Sequence, residues 1–212
     1  MTVKVWQREA VGKKVVEALL KNNFRAEYLG RKEEAAQRLL EIVPAQGSVG
    51  IGGSVTIGQL EVLDKLAARG NKVLNHGVPG LTPQQAIEIR REQQLCDCFI
   101  CSTNAVTLDG KLVNVDGSGN RVSAMIFGPK KVIIVVGTNK IVKDVDAALE
   151  RIETTAAPLN NKRLNLPNPC TKSGFCQDCQ SESRICNITT IIRKMTRLTE
   201  ITVLVVGEEL GY

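Results

Sequence analysis

The stretch SVGIGGSVTIGQLEVLDKLAARGNKVLNH, residues 48 to 76, decides the fold. SVGI has strand composition and runs into the glycine pair at 52 and 53. IGQLEVLDKLAARG then carries apolar residues at helical spacing and closes on Gly70, and KVLNH returns as a strand. Two strands joined through a helix in so short a span form a crossover unit, which pairs strands in parallel.

The same alternation extends in both directions. Upstream, residues 7 to 22 show helical spacing at Ala10, Val11, Val15, Ala18, Leu19 and Leu20; RAEYLG is extended, and EEAAQRLLEIV is a second helical stretch ending before Pro44. Downstream, TPQQAIEIRREQQL begins with Thr82 as cap and Pro83 in the first turn. CDCFICS is apolar throughout, as in a strand buried on both faces. Asp109-Gly110 separates two extended runs and predicts a β-hairpin over AVTLDGKLVNVD. KKVIIVVG reads as a strand and KDVDAALERIETTA as a helix. Ile185, Ile188, Ile191, Ile192, Met195 and Leu198 return to helical spacing, and ITVLVVG is a last strand. The fold class expected is α/β, a mainly parallel sheet flanked by helices. One domain spans 1–212, with an N-terminal helical region at 1–43 and a cysteine-rich insertion at 158–187.

Composition narrows the function classes. At 43% hydrophobic residues, the 212-residue chain can bury one substantial core. No apolar run is long enough to span a bilayer, and the N-terminus lacks a signal-peptide pattern, so a cytoplasmic location is expected. The net charge of +6 comes from scattered lysines and arginines, and aromatics make up only 3% of the chain. That argues against a base-stacking platform for nucleic acid and suits a small anionic ligand.

Two loops could hold such a ligand. In GIGGSVTIGQLEVL, a strand enters Gly52 and Gly53 before Ser54, Val55 and Thr56 open a helix, bringing amides and hydroxyls together near a helix N-terminus. It lacks the Walker lysine and the dinucleotide glycine spacing. In VDGSGNRVS, Asp116, Gly117, Ser118, Gly119, Asn120 and Arg121 combine close backbone approach with a guanidinium suited to a carboxylate or phosphate. Asp116 and His76, the single histidine, are weak candidates for moving a proton. Plain turn and capping roles for these residues stay open.

Four of the seven cysteines fall in NPCTKSGFCQDCQSESRICN, residues 168 to 187. Cys170, Cys176, Cys179 and Cys186 supply four soft ligands for zinc or an iron–sulfur cluster, although their spacing matches neither a zinc ribbon nor a ferredoxin run. Disulfide or dithiol chemistry and reduced packing thiols remain alternatives. Cys96, Cys98 and Cys101 read as core residues, the first two on one strand face and the third on the other.

GGSVT before a helix, then STNAVTLDGKLVNVDGSGNRVSAMIFGPKKVIIVVGTNKIV, then the four-cysteine segment together resemble the LUD domain family, of which the lactate-utilization protein C type is best known. The resemblance covers most of the chain. It implies the architecture of sugar-phosphate isomerases and CoA transferases, with an anion-binding first loop. It implies Gly53, Ser54, Val55 and Thr56 as anion contacts, with Asn104, Asp116, Asn120 and Arg121 as neighbours. It further implies an accessory role in lactate or organic-acid oxidation beside iron–sulfur oxidoreductase subunits. No CoA-transferase glutamate or cyclo-ligase lysine loop can be placed. A ligand-binding module is therefore the expected function; an enzyme acting by acid–base chemistry on a small phosphorylated or acyl substrate is the alternative. Homo-oligomerisation is left open.

Overall fold

A computed structural model describes residues 2–212. The chain opens with α1 (Val3–Lys21), whose first turn is capped by the Thr2 hydroxyl accepting from the Val5 N–H. Next come β1 (Arg25–Leu29), α2 (Lys32–Ile42), β2 (Ser48–Ile51), the short helices α3 (Val55–Gly58) and α4 (Leu63–Ala68), β3 (Lys72–Asn75) and α5 (Pro83–Glu92). β4 (Cys98–Cys101) leads into the hairpin of β5 (Ala105–Thr107) and β6 (Leu112–Asp116), followed by α6 (Asn120–Phe127) and β7 (Lys131–Gly137). After β8 (Ile141–Val142) come α7 (Val145–Arg151), a π turn (Ile152–Ala156), α8 (Ala157–Arg163), α9 (Cys170–Ser173), β9 (Ile188–Ile192) and β10 (Glu200–Val206).

Six strands form a sheet in the order β1-β10-β7-β4-β2-β3, every pairing parallel. The other four form a smaller sheet, β8-β5-β6-β9, in which the β5–β6 hairpin expected at Asp109-Gly110 is antiparallel. The chain thus adopts the expected α/β architecture. Period-two alternation divides the six-stranded sheet between two cores. Val132, Ile134 and Val136 of β7 join Val15 and Leu19 of α1 on one face. Ile133 and Val135 join Ala35, Ala36 and Leu39 of α2 on the other.

Four local expectations are corrected. The helix predicted over 57–70 is broken: Glu61 adopts a left-handed backbone (φ 52), which lets both Leu60 and Val62 turn into the core. The isoleucines after Cys186 form strand β9 instead of a helix. ITTII is rich in β-branched residues and pairs antiparallel with β6, Leu112 opposite Ile192. Cys96 precedes β4 and escapes its alternation, so it packs with Cys101, while Cys98 faces the opposite core. The helix expected to end at Ala156 passes through a π turn and continues to Arg163.

Candidate functional site

A cavity of about 650 Å³ lies at the carboxyl ends of the parallel strands, where open α/β sheets bind ligands. It is bounded by the glycine loop after β2, by Ser102 and Asn104 after β4, by the loop after β6, and by Asn160 and Arg163 of α8. Every ligand-contact residue expected from the sequence, Gly53 to Thr56, Asn104, Asp116 to Ser118, Asn120 and Arg121, lines it except Gly119. His76 lines it too.

The glycine loop is shaped by close packing. A Cβ on Gly52 would lie 2.8 Å from Cys101 Cβ, and Gly53 has φ +55 and faces His76. Ser54 caps α3, its hydroxyl accepting from the Ile57 N–H at 3.4 Å. Because α3 spans only four residues, its dipole adds little. The charge in this corner comes from elsewhere.

Lys140 supplies it. This residue follows β7, is 4% exposed, and donates from Nζ to Thr56 Oγ1 at 2.9 Å and Ser102 Oγ at 3.0 Å. No carboxylate pairs with it among the described residues. Burial, aided by the nearby Arg151 and Arg121 guanidinium groups, lowers its pKa from 10.5 to about 7. Sequence reading missed Lys140 because GTNK carries no motif; its one signal was a lysine just past the carboxyl end of a core strand.

Asp116 and Arg121 are committed to the loop itself. Asp116 Oδ1 accepts from the N–H groups of Ser118 at 3.2 Å and Gly119 at 2.8 Å, while Oδ2 pairs with Arg121 Nε at 3.4 Å. Arg121 donates to the carbonyls of Ser102 and Val115, to Asn104 Oδ1 and to Asn114 Oδ1. A fork so occupied fixes the β4, β6 and α6 ends relative to one another. Asn104 Oδ1 is likewise held by Arg121 and the Val115 N–H. Gly119 sits at the N-cap of α6 with φ +82.

His76 is oriented by Gln93. The Gln93 amide donates to the carbonyls of Ile51 and Leu74, so its oxygen is left to accept from His76 Nδ1 at 3.3 Å. That assigns the proton to Nδ1 and leaves Nε2 bare toward Gly53. Burial, with Arg90 nearby, lowers the His76 pKa. The cavity lining carries Arg90, Arg121, Lys140 and Arg163 against a single acidic side chain, Asp116.

The four clustered cysteines line a second, small pocket together with Arg184 and Ile185. Cys170 is buried and the other three are half-buried; all are unpaired. Burial raises the Cys186 pKa to about 11. Among the described residues, no three thiols, imidazoles or carboxylates converge tightly enough to hold a single metal ion.

A family model described as LUD domain matches residues 12–206. Among solved structures, a DUF162 family protein from Deinococcus radiodurans aligns over 94% of this chain and 98% of its own, with a TM-score of 0.52 and 14% identity. At that identity the likeness shows the fold alone. No curated protein matches the chain.

Proposed function

Because the chain belongs to the LUD domain family, which is linked to lactate utilization in general, we propose that its main cavity binds a small organic anion as an accessory step in lactate or other organic-acid oxidation. The ligand is a carboxylate or phosphate, and the protein works beside iron–sulfur oxidoreductase partners. One observation carries the reading: Lys140 is buried against the cavity, its ammonium hydrogen-bonded to the Thr56 and Ser102 hydroxyls, with no carboxylate pairing with it among the described residues. A buried ammonium is costly unless paired. An anion entering between Ser54, Thr56 and Ser102 would complete the pair, with Arg163 and Arg90 drawing it in from the rim.

The test is calorimetric titration of lactate, pyruvate and inorganic phosphate into wild type and Lys140→Met. At least one should bind, and the substitution should weaken it by 1.5–3 kcal/mol, roughly 10- to 150-fold, as for a charge-assisted contact. Equal affinity in the two proteins, or no binding of any of the three, would remove the reading.

The Lys140 pKa of about 7 favours a second reading, in which the neutral amine acts as a general base on the bound acid. Lys140→Arg separates the two. A guanidinium keeps the charge and cannot take up a proton, so binding without turnover supports catalysis by Lys140, whereas a wild type that binds and never turns ligand over leaves the module.

A further inference from the structure

The thiols of Cys170, Cys176, Cys179 and Cys186 have no part in the ligand reading. The backbone of their segment is already held without the sulfurs. Asn168 donates to Asn161 Oδ1 at 2.6 Å and to the Ser183 carbonyl at 2.9 Å, and accepts from the Ser183 hydroxyl. The Cys176 N–H donates to the Glu153 carbonyl at 2.8 Å. The far end is tied by Asn187, whose N–H donates to the Asp116 carbonyl and whose amide donates to the Gly117 carbonyl. A structural clasp made by the thiols would be redundant here.

Yet four thiols from C-x5-C-x2-C-x6-C face one pocket. A tetrahedral zinc needs all four sulfurs about 2.3 Å from a single point, and no such convergence exists among the described residues. An iron–sulfur cluster interposes irons and sulfides between its thiolates, so its cysteines surround a common space while standing farther apart. Two further features suit an anionic cluster. The Asp178 N–H donates to Cys176 Sγ at 3.4 Å, the kind of bond to sulfur that tunes a cluster's potential. Arg184 lines the same pocket, fixed by its bonds to the Cys179 and Cys186 carbonyls and by its ion pair with Asp178 at 2.8 Å. Ile185 lines both this pocket and the main cavity, so the two sites share a wall.

We propose that Cys170, Cys176, Cys179 and Cys186 hold an iron–sulfur cluster beside the anion cavity. The experiment is purification without oxygen from iron-supplied cells, with a second sample reconstituted with ferric iron, sulfide and a thiol reductant. Visible absorption, iron, zinc and acid-labile sulfide are measured on each. The result expected is iron and sulfide in about equal amounts, with a broad visible band that bleaches on reduction, lost from Cys176→Ser and Cys179→Ser proteins whose circular dichroism matches wild type. Alkylation of wild type gives a readout that no variant has to survive: loading should shield Cys176, Cys179 and Cys186, and removing the iron with a chelator should expose them. Stoichiometric zinc without sulfide, a disulfide among the four, or no iron in the reconstituted protein would each overturn the proposal, whatever the titrations of the cavity show.

Discussion

Burying an amine costs free energy in proportion to how readily it would hold a proton in water, and Lys140 makes that cost measurable. Between pH 7 and 10.5 the unfolded chain keeps a proton on this lysine that the folded chain has begun to release, so stability rises with pH through that window. The core thiols act in the opposite sense. Cys96 is pushed from 9.0 to about 11, and Cys98 and Cys101 to about 12; above pH 9.0 the unfolded chain gives up protons the folded chain retains, and stability falls. The difference in urea unfolding between wild type and Lys140→Met from about pH 7 to 8 isolates the lysine, whose slope is up to ~1.4 kcal/mol per pH unit. Lys140→Met should flatten that slope; an unchanged slope would mean the amine is not buried in solution. Anion affinity moves the other way. The ligand favours the charged lysine, so binding should be strongest below pH 7 and weaken above it. Residue chemistry was legible in part. Composition and the glycine loops pointed to a cationic cavity, but which cation is free depends on neighbours. Arg121 looked like the ligand's partner and is filled by Asn104, Asn114, Asp116 and two carbonyls, none of which a linear sequence assigns to it.

At the scale of elements, the strands β2, β4, β7 and β10 were readable because burial on both faces leaves near-continuous apolar runs. Less readable were places where one element's backbone is completed by another. In the π turn, the Ala157 N–H reaches back to the Ile152 carbonyl. The next bond of that register would come from residue 158 to Glu153, and proline has no N–H to give. The Glu153 carbonyl is therefore left for the Cys176 N–H, and the cysteine loop docks on the helix there. The hairpin shows the same dependence. Gly110 has φ +79, and a Cβ on it would lie 2.7 Å from the Ala18 backbone, while Asn22 of the α1 C-cap donates to the Asp109 and Gly110 carbonyls. Gly110→Ala should cost about 1–3 kcal/mol in backbone strain alone and loosen α1 from the hairpin. Denaturant unfolding and hydrogen exchange of residues 12–22 would record it; a loss under about 0.5 kcal/mol, as for an ordinary surface change, would show that this contact is not close in solution.

Across the molecule, the cavity is a junction: the six-stranded sheet contributes the glycine loop, the smaller sheet contributes the loop after β6, and α8 closes one side. Two half-buried arginines already pin the parts together. Arg151 donates to the Asn139 and Asn104 carbonyls, and Arg121 joins Ser102 to Asn114 and Val115. With that frame set, an anion seated on Lys140 would touch both sheets and stabilise the folded state by mass action. A ligand at a hundred times its Kd adds about 2.7 kcal/mol, and a domain of this size shifts about 2–4 °C per kcal/mol. Saturating lactate, pyruvate or phosphate should therefore raise the melting temperature by roughly 5–10 °C. The shift should vanish in Lys140→Met and survive in Cys176→Ser, because Cys176 lines only the cysteine pocket and the two linings share the single residue Ile185. Loss of the shift in both variants would mean that the two sites act as one, and persistence in both would place the anion away from Lys140.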